Sequence, residues 1–110
     1  MPRLPLPLIQ GSLDLLVLGA LAPRAAHGYG VATLVRERSR GALEIEDAAL
    51  YQALHRLERK GLVSAAWGLS ENNRRARYYA LTGEGRKRLR EEAANWQRYA
   101  RAVSAVLEGA

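Results

Sequence analysis

The segment Leu50-Tyr51-Gln52-Ala53-Leu54-His55-Arg56-Leu57-Glu58-Arg59-Lys60-Gly61 decides the fold. Leu50, Leu54 and Leu57 recur at the three- and four-residue steps that align side chains along one stripe of an α-helix, so the spacing predicts a helix with that stripe buried. Asp47 is the expected N-cap, and the helix is expected to run to Lys60. Gly61 reads as a left-handed C-cap with Leu62 placed to touch Leu57, while Arg59 and Lys60 complement the helix dipole. Opposite the leucines the same period places Ala48, Gln52, His55 and Arg59, with Tyr51 and Arg56 on the flanks.

Downstream, two strand-like runs, Leu62 to Leu69 and Arg77 to Leu81, are separated by residues 70–76, whose paired Asn72 and Asn73 tolerate turn conformations. This is a hairpin with a basic tip: Arg74, Arg75 and Arg77 stand against Glu71 alone. Thr82 then caps a last helix expected to reach about Glu108, a length of about 40 Å at 1.5 Å per residue, more than a small domain can cover by itself.

Upstream, residues 1–10 alternate proline and leucine (Pro2, Leu4, Pro5, Leu6, Pro7, Leu8), which forbids helix and predicts an extended arm. From Gly11 and Ser12, the expected N-cap, Leu13 to Leu21 is apolar on nearly every side, the pattern of a helix buried all round. Pro23 ends it. His27-Gly28-Tyr29-Gly30 opens a second helix with Val31, Leu34 and Val35 inward, and Gly41 supplies its stop. Ala42 to Glu46 alternates Leu43 and Ile45 with glutamates and is expected to form a short strand.

Helix, helix, short strand, helix, hairpin is the order of a winged helix-turn-helix, mainly α with a small β-hairpin, in which the third helix enters the major groove and the hairpin reaches the flanking backbone. The expected division is a DNA-binding unit over residues 1–81 with its N-terminal arm and a dimerisation helix over 82–110. At 110 residues a single core is expected. Gln52 suits adenine, Arg56 and Arg59 suit guanine or phosphate, and Tyr51 suits phosphate. Tyr29, His55, Asn73, Arg74, Arg75 and Arg77 complete the candidate DNA contacts.

The chain's 17 lysines and arginines against 11 acidic residues, net +6, favour a polyanionic partner. With no cysteine and only His27 and His55, thiolate chemistry and a histidine-based metal or catalytic site lack their residues, so no enzyme, metal or cofactor is expected. Arg3 ahead of Leu13 to Ala22 imitates a signal peptide, but Gln10 and Asp14 interrupt the pattern and the apolar run falls short of the roughly 20 residues of a membrane span. A soluble cytoplasmic protein without membrane association is expected. An RNA-binding module, which wants exposed aromatics on a sheet, and a non-catalytic scaffold are the rival readings.

In the last helix, Leu89, Ala93, Trp96, Ala100, Val103 and Leu107 follow steps of four and three, a heptad-like seam that predicts a homodimer or packing on the first helix. The segments Gly11-Ser12-Leu13-Asp14-Leu15-Leu16, His27-Gly28-Tyr29-Gly30, Leu50 to Gly61, Trp67-Gly68 and Glu71 to Thr82 resemble the PadR family of bacterial transcriptional regulators, in its short, acidobacterial-type subfamily with one C-terminal helix. The resemblance implies a homodimer on a two-fold repeated operator, commonly a repressor. It also implies that Trp96 sits where drug-sensing members sandwich flat aromatic compounds across the dimer. Ala49 and Gln52 depart from the family's usual hydroxyl residue and proline, so no operator sequence carries over.

Overall fold

The computed structural model describes residues 5–109; Pro2, Arg3 and Leu4 of the expected arm lie outside the described residues. Four helices and three strands follow in the order α1 (Ser12–Leu21), β1 (Ala26–His27), α2 (Gly28–Arg38), α3 (Asp47–Arg59), β2 (Val63–Leu69), β3 (Arg75–Leu81) and α4 (Gly83–Glu108). The strands form one antiparallel sheet in the order β1-β3-β2.

The leucine stripe of α3 does what its spacing predicts. Leu50, Leu54 and Leu57 are buried in one cluster with Val17, Leu18 and Leu21 of α1, Val31 and Val35 of α2, and Val63 and Tyr79 of the sheet. Removing leucine and valine side chains of this kind from water stabilises a domain by about 1.5–3 kcal/mol each, the term that holds three short helices together. The end of α3 closes as expected: Gly61 has φ 76°, its N–H donates to the Glu58 carbonyl at 3.0 Å, and the Leu62 N–H donates to the Leu57 carbonyl at 3.0 Å. Both bonds together satisfy carbonyls that would otherwise be orphaned at the helix terminus.

Three expectations need correction. No strand forms at Ala42–Glu46; Leu43 and Ile45 do turn inward, but the Leu43 N–H donates to Ser39 Oγ at 3.0 Å and the Ala42 carbonyl accepts from the Leu6 N–H at 2.8 Å, so a side-chain oxygen and the N-terminal segment replace a ladder. The sheet takes its third strand from Ala26 and His27, which pair with Tyr79 and Tyr78 of β3. Nor is α1 buried all round: Val17, Leu18, Ala20 and Leu21 are buried, whereas Leu13, Leu15 and Leu16 are half-buried. At two helix starts the cap also differs. Gly11, with φ 87°, precedes α1 while Ser12 Oγ donates back to the Ile9 carbonyl at 2.6 Å, and Glu46 precedes α3 with Asp47 already helical.

The start of α4 follows the sequence closely. Thr82 Oγ1 accepts from the Gly85 N–H at 3.0 Å and donates to the Gly61 carbonyl at 2.7 Å, and the Thr82 N–H donates to the Leu62 carbonyl at 3.1 Å. Gly85 lies so close that a Cβ there would collide with the Leu62 carbonyl oxygen. The base of α4 is thereby joined to the closing turn of α3.

Candidate nucleic-acid interface

With its leucines buried, α3 turns Ala48, Gln52, His55 and Arg59 outward, all exposed, and Tyr51 lies exposed at its flank. The Tyr51 ring rests on Gly28, the first residue of α2, where a Cβ would stand 3.0 Å from Tyr51 Oη. Glycine therefore lets the start of α2 close on α3, which sets Tyr29, 73% exposed, beside the same face. His27 caps α2: its Nδ1 accepts from the Gly30 N–H at 3.0 Å, and its ring stands edge-on to Tyr78 with centroids 5.3 Å apart. With Nδ1 accepting, the neutral ring carries its proton on Nε2.

The hairpin tip is built by Asn73 at φ 60°, the left-handed conformation that asparagine adopts more readily than most residues, with its N–H donating to the Ser70 carbonyl at 2.9 Å. Arg74 and Arg75 project from it, exposed. The hairpin, α3 and the start of α2 enclose a groove of about 570 Å³ that holds Tyr29, Tyr51, Arg74, Arg75 and Arg77 along its walls.

The predicted arginines divide into two sets. Arg56 makes a two-pronged ion pair with Asp14 of α1, one prong being Nε to Oδ2 at 3.2 Å. Arg77 pairs with Glu58 at 2.8 Å, so the recognition-type helix is pinned to α1 on one flank and to β3 on the other. Among the described residues, Arg59, Arg74 and Arg75 form no ion pair. Asp14 and Glu58 were not legible as partners, because the two ion pairs span 42 and 19 residues and carry no local signature. The hydrogen bond that Arg56 donates to Asp14 raises the Arg56 pKa above its ordinary value. Burial pushes the Tyr79 phenol up, partly offset by the neighbouring Arg77 charge.

Along α4 the seam splits. Leu89 and Ala93 are half-buried against the body, and Trp96 borders an apolar cleft of about 410 Å³ formed with Leu15, Leu16 and Leu34. Ala100 is half-buried, Val103 is 39% exposed and Leu107 is 67% exposed. Among the described residues no helix is long and apolar enough to cross a membrane, and no group of three His, Asp or Glu could hold a metal ion.

Residues 17–91 match the model of the transcriptional regulator PadR-like family. A PadR family transcriptional regulator from Eggerthella lenta is 32% identical with a TM-score of 0.74, the match covering 90% of this chain and 84% of that one. A PadR family transcription regulator from Clostridium difficile is 29% identical with a TM-score of 0.77, covering 88% of this chain and 99% of that one. Bacillus subtilis PadR, solved with operator DNA, shares the fold at 20% identity and a TM-score of 0.66 over 74% of this chain and 46% of that one. By its family match and by its four helices and three-stranded wing, the chain belongs to the PadR-like family, a family of transcriptional regulators and not of enzymes.

Proposed function

We propose that the chain binds duplex DNA as a homodimer and regulates transcription, as a repressor, from an operator with two-fold symmetry. The observation that carries this reading is the outward face of α3, with Gln52, His55 and Arg59, beside a hairpin tip whose Arg74 and Arg75 carry no carboxylate partner among the described residues. Gln52 offers paired hydrogen bonds to adenine and Arg59 reaches guanine or phosphate, while the tip arginines and Asn73 meet the backbone. Tyr29 and Tyr51 border the same groove, and Arg56 and Arg77 serve chiefly to hold α3 in place. Residues 1–81 act as the DNA-reading unit in the cytoplasm, and residues 82–110 pair two copies through Leu89, Ala93, Trp96, Ala100, Val103 and Leu107.

Arg74→Ala and Arg75→Ala each weaken binding across sequences and flatten the dependence of affinity on salt by about 0.9 in the log–log slope, one phosphate's worth. Unchanged affinity and slope in both variants would remove the hairpin from the interface, and preference for single-stranded RNA over duplex DNA would favour the RNA reading.

A second reading is favoured by the cleft beside Trp96, whose volume of about 410 Å³ lies in the range of small-molecule sites. A flat aromatic effector stacks on the indole there and releases the protein from its operator. Titration of planar aromatics quenches the wild-type tryptophan emission more than that of Trp96→Leu; equal quenching leaves Trp96 as packing alone.

A further inference from the structure

Alternation along β2 puts Val63, Ala65, Trp67 and Leu69 on one face, and the register sets Leu81, Tyr79, Arg77 and Arg75 across from them on β3. At the body end this face is core, with Val63 and Tyr79 each 2% exposed. Toward the tip it leaves the core while staying apolar: Trp67 is 62% exposed and Leu69 is 63% exposed. An indole can bury 150–250 Å² or so, among the largest apolar contributions a side chain offers, and here most of that area is left to solvent. Arg75 covers part of it, its Cζ standing 4.6 Å from the ring centroid. Trp67 also borders the groove that Tyr29, Tyr51 and Arg74 share, next to the outward face of α3.

We propose that Trp67 and Leu69, with Arg75 stacked on the indole, form a contact for the sugar-phosphate backbone of duplex DNA, the indole lying against a deoxyribose and the guanidinium on the adjoining phosphate. The inference rests on the DNA reading above and extends it to residues that reading leaves idle. Charge complementarity selects this occupant, because the apolar patch is bordered by Arg74 and Arg75 and lies beside the face of α3 that the DNA reading sets against the duplex. Stacking on the guanidinium fixes the ring at low cost in side-chain freedom and places charge and apolar area a few ångströms apart, as sugar and phosphate are placed in DNA.

The physical signature is a contact without counterion release. With a mixed-sequence duplex of about thirty base pairs as the probe, Trp67→Ala lowers affinity about tenfold with the salt slope unchanged, whereas Arg75→Ala lowers the slope by about 0.9. Wild-type tryptophan emission changes on adding duplex, and Trp67→Ala removes that change. Trp67→Phe, which keeps an aromatic ring, retains most of the affinity, and circular dichroism verifies that the exposed substitutions leave the fold in place. Wild-type affinity in Trp67→Ala, while Arg74→Ala still weakens binding, overturns the proposal and leaves the DNA reading standing. A slope reduced in Trp67→Ala also overturns it, since Trp67 would then merely position Arg75. Tighter binding of the corresponding single strand with the same emission change overturns it in favour of base stacking. Failure of the wild-type protein to bind any duplex removes the DNA reading and this contact together.

Discussion

The two halves of α4 carry the same apolar spacing and have opposite fates. In the first half, Gly85 is buried and Leu89 and Ala93 are half-buried, packed on α1 and the loop after α3. In the second, Val103 is 39%, Leu107 is 67% and Val106 is 75% exposed, with nothing of the described chain across from them. Length explains the difference: α1 has 10 residues and α4 has 26, so at 1.5 Å per residue a helix of about 15 Å faces one of about 39 Å. A periodic stripe reports that a helix wants a partner; it does not say whether the partner belongs to the same chain.

The sharpest way to break the covered half is at its joint. Gly85→Ala forces a methyl group onto the Leu62 carbonyl, a backbone atom that cannot swing aside, and is expected to cost about 3 kcal/mol or more. Thermal unfolding should show a Tm lowered by about 12 °C or more, and a near-native Tm would mean that the joint yields easily.

A matched pair of aspartates contrasts the halves directly. Ala93→Asp puts a charge at the rim of the cleft against Leu15 and Leu16 and is expected to cost about 2 kcal/mol of the body's own stability, read by denaturant unfolding. Val103→Asp should leave the body's core intact and act on association, converting a dimer at micromolar concentration to a monomer in sedimentation. Equal loss of stability in both, with no change in mass, would mean that the bare half has no partner.

The smallest effect belongs to the other side of α1. Asp14→Asn removes the ion pair with Arg56, whose side chains are 30% and 38% exposed, so solvent screening limits the loss to about 0.5–1 kcal/mol. The Tm should fall by only a few degrees, and the sedimentation behaviour should stay that of the wild type.

Legibility from sequence followed the range of the interactions. The closing turn at Gly61 and the cap at Thr82 were readable because donor, acceptor and special conformation lie within six residues. The strand expected at Ala42–Glu46 failed for the converse reason. Alternation marks an extended half-buried segment, but pairing needs a free edge, and the edge of β3 was taken by Ala26 and His27 from the far side of α2. The outward face of α3 was fully legible, since Gln52, His55 and Arg59 follow from the buried leucines by period alone. Sorting paired from unpaired arginines was not, because Asp14 and Glu58 meet Arg56 and Arg77 only through tertiary packing.

The joint at Thr82 also makes α4 a lever. Its base is held through Thr82 to Gly61 and Leu62, the turn that closes α3, so a tilt of α4 moves α3 with it instead of being absorbed in a loose hinge. If two copies meet along the bare half of α4, the separation of their two outward faces is geared to the crossing angle of those long helices. Winged-helix pairs read half-sites about 34 Å apart, one turn of DNA, and a few degrees of rotation over an arm of about 39 Å displaces its end by roughly 2–3 Å. Operator spacing would then be set by the pitch of one helix against its copy, in a part of the molecule that never meets a base pair.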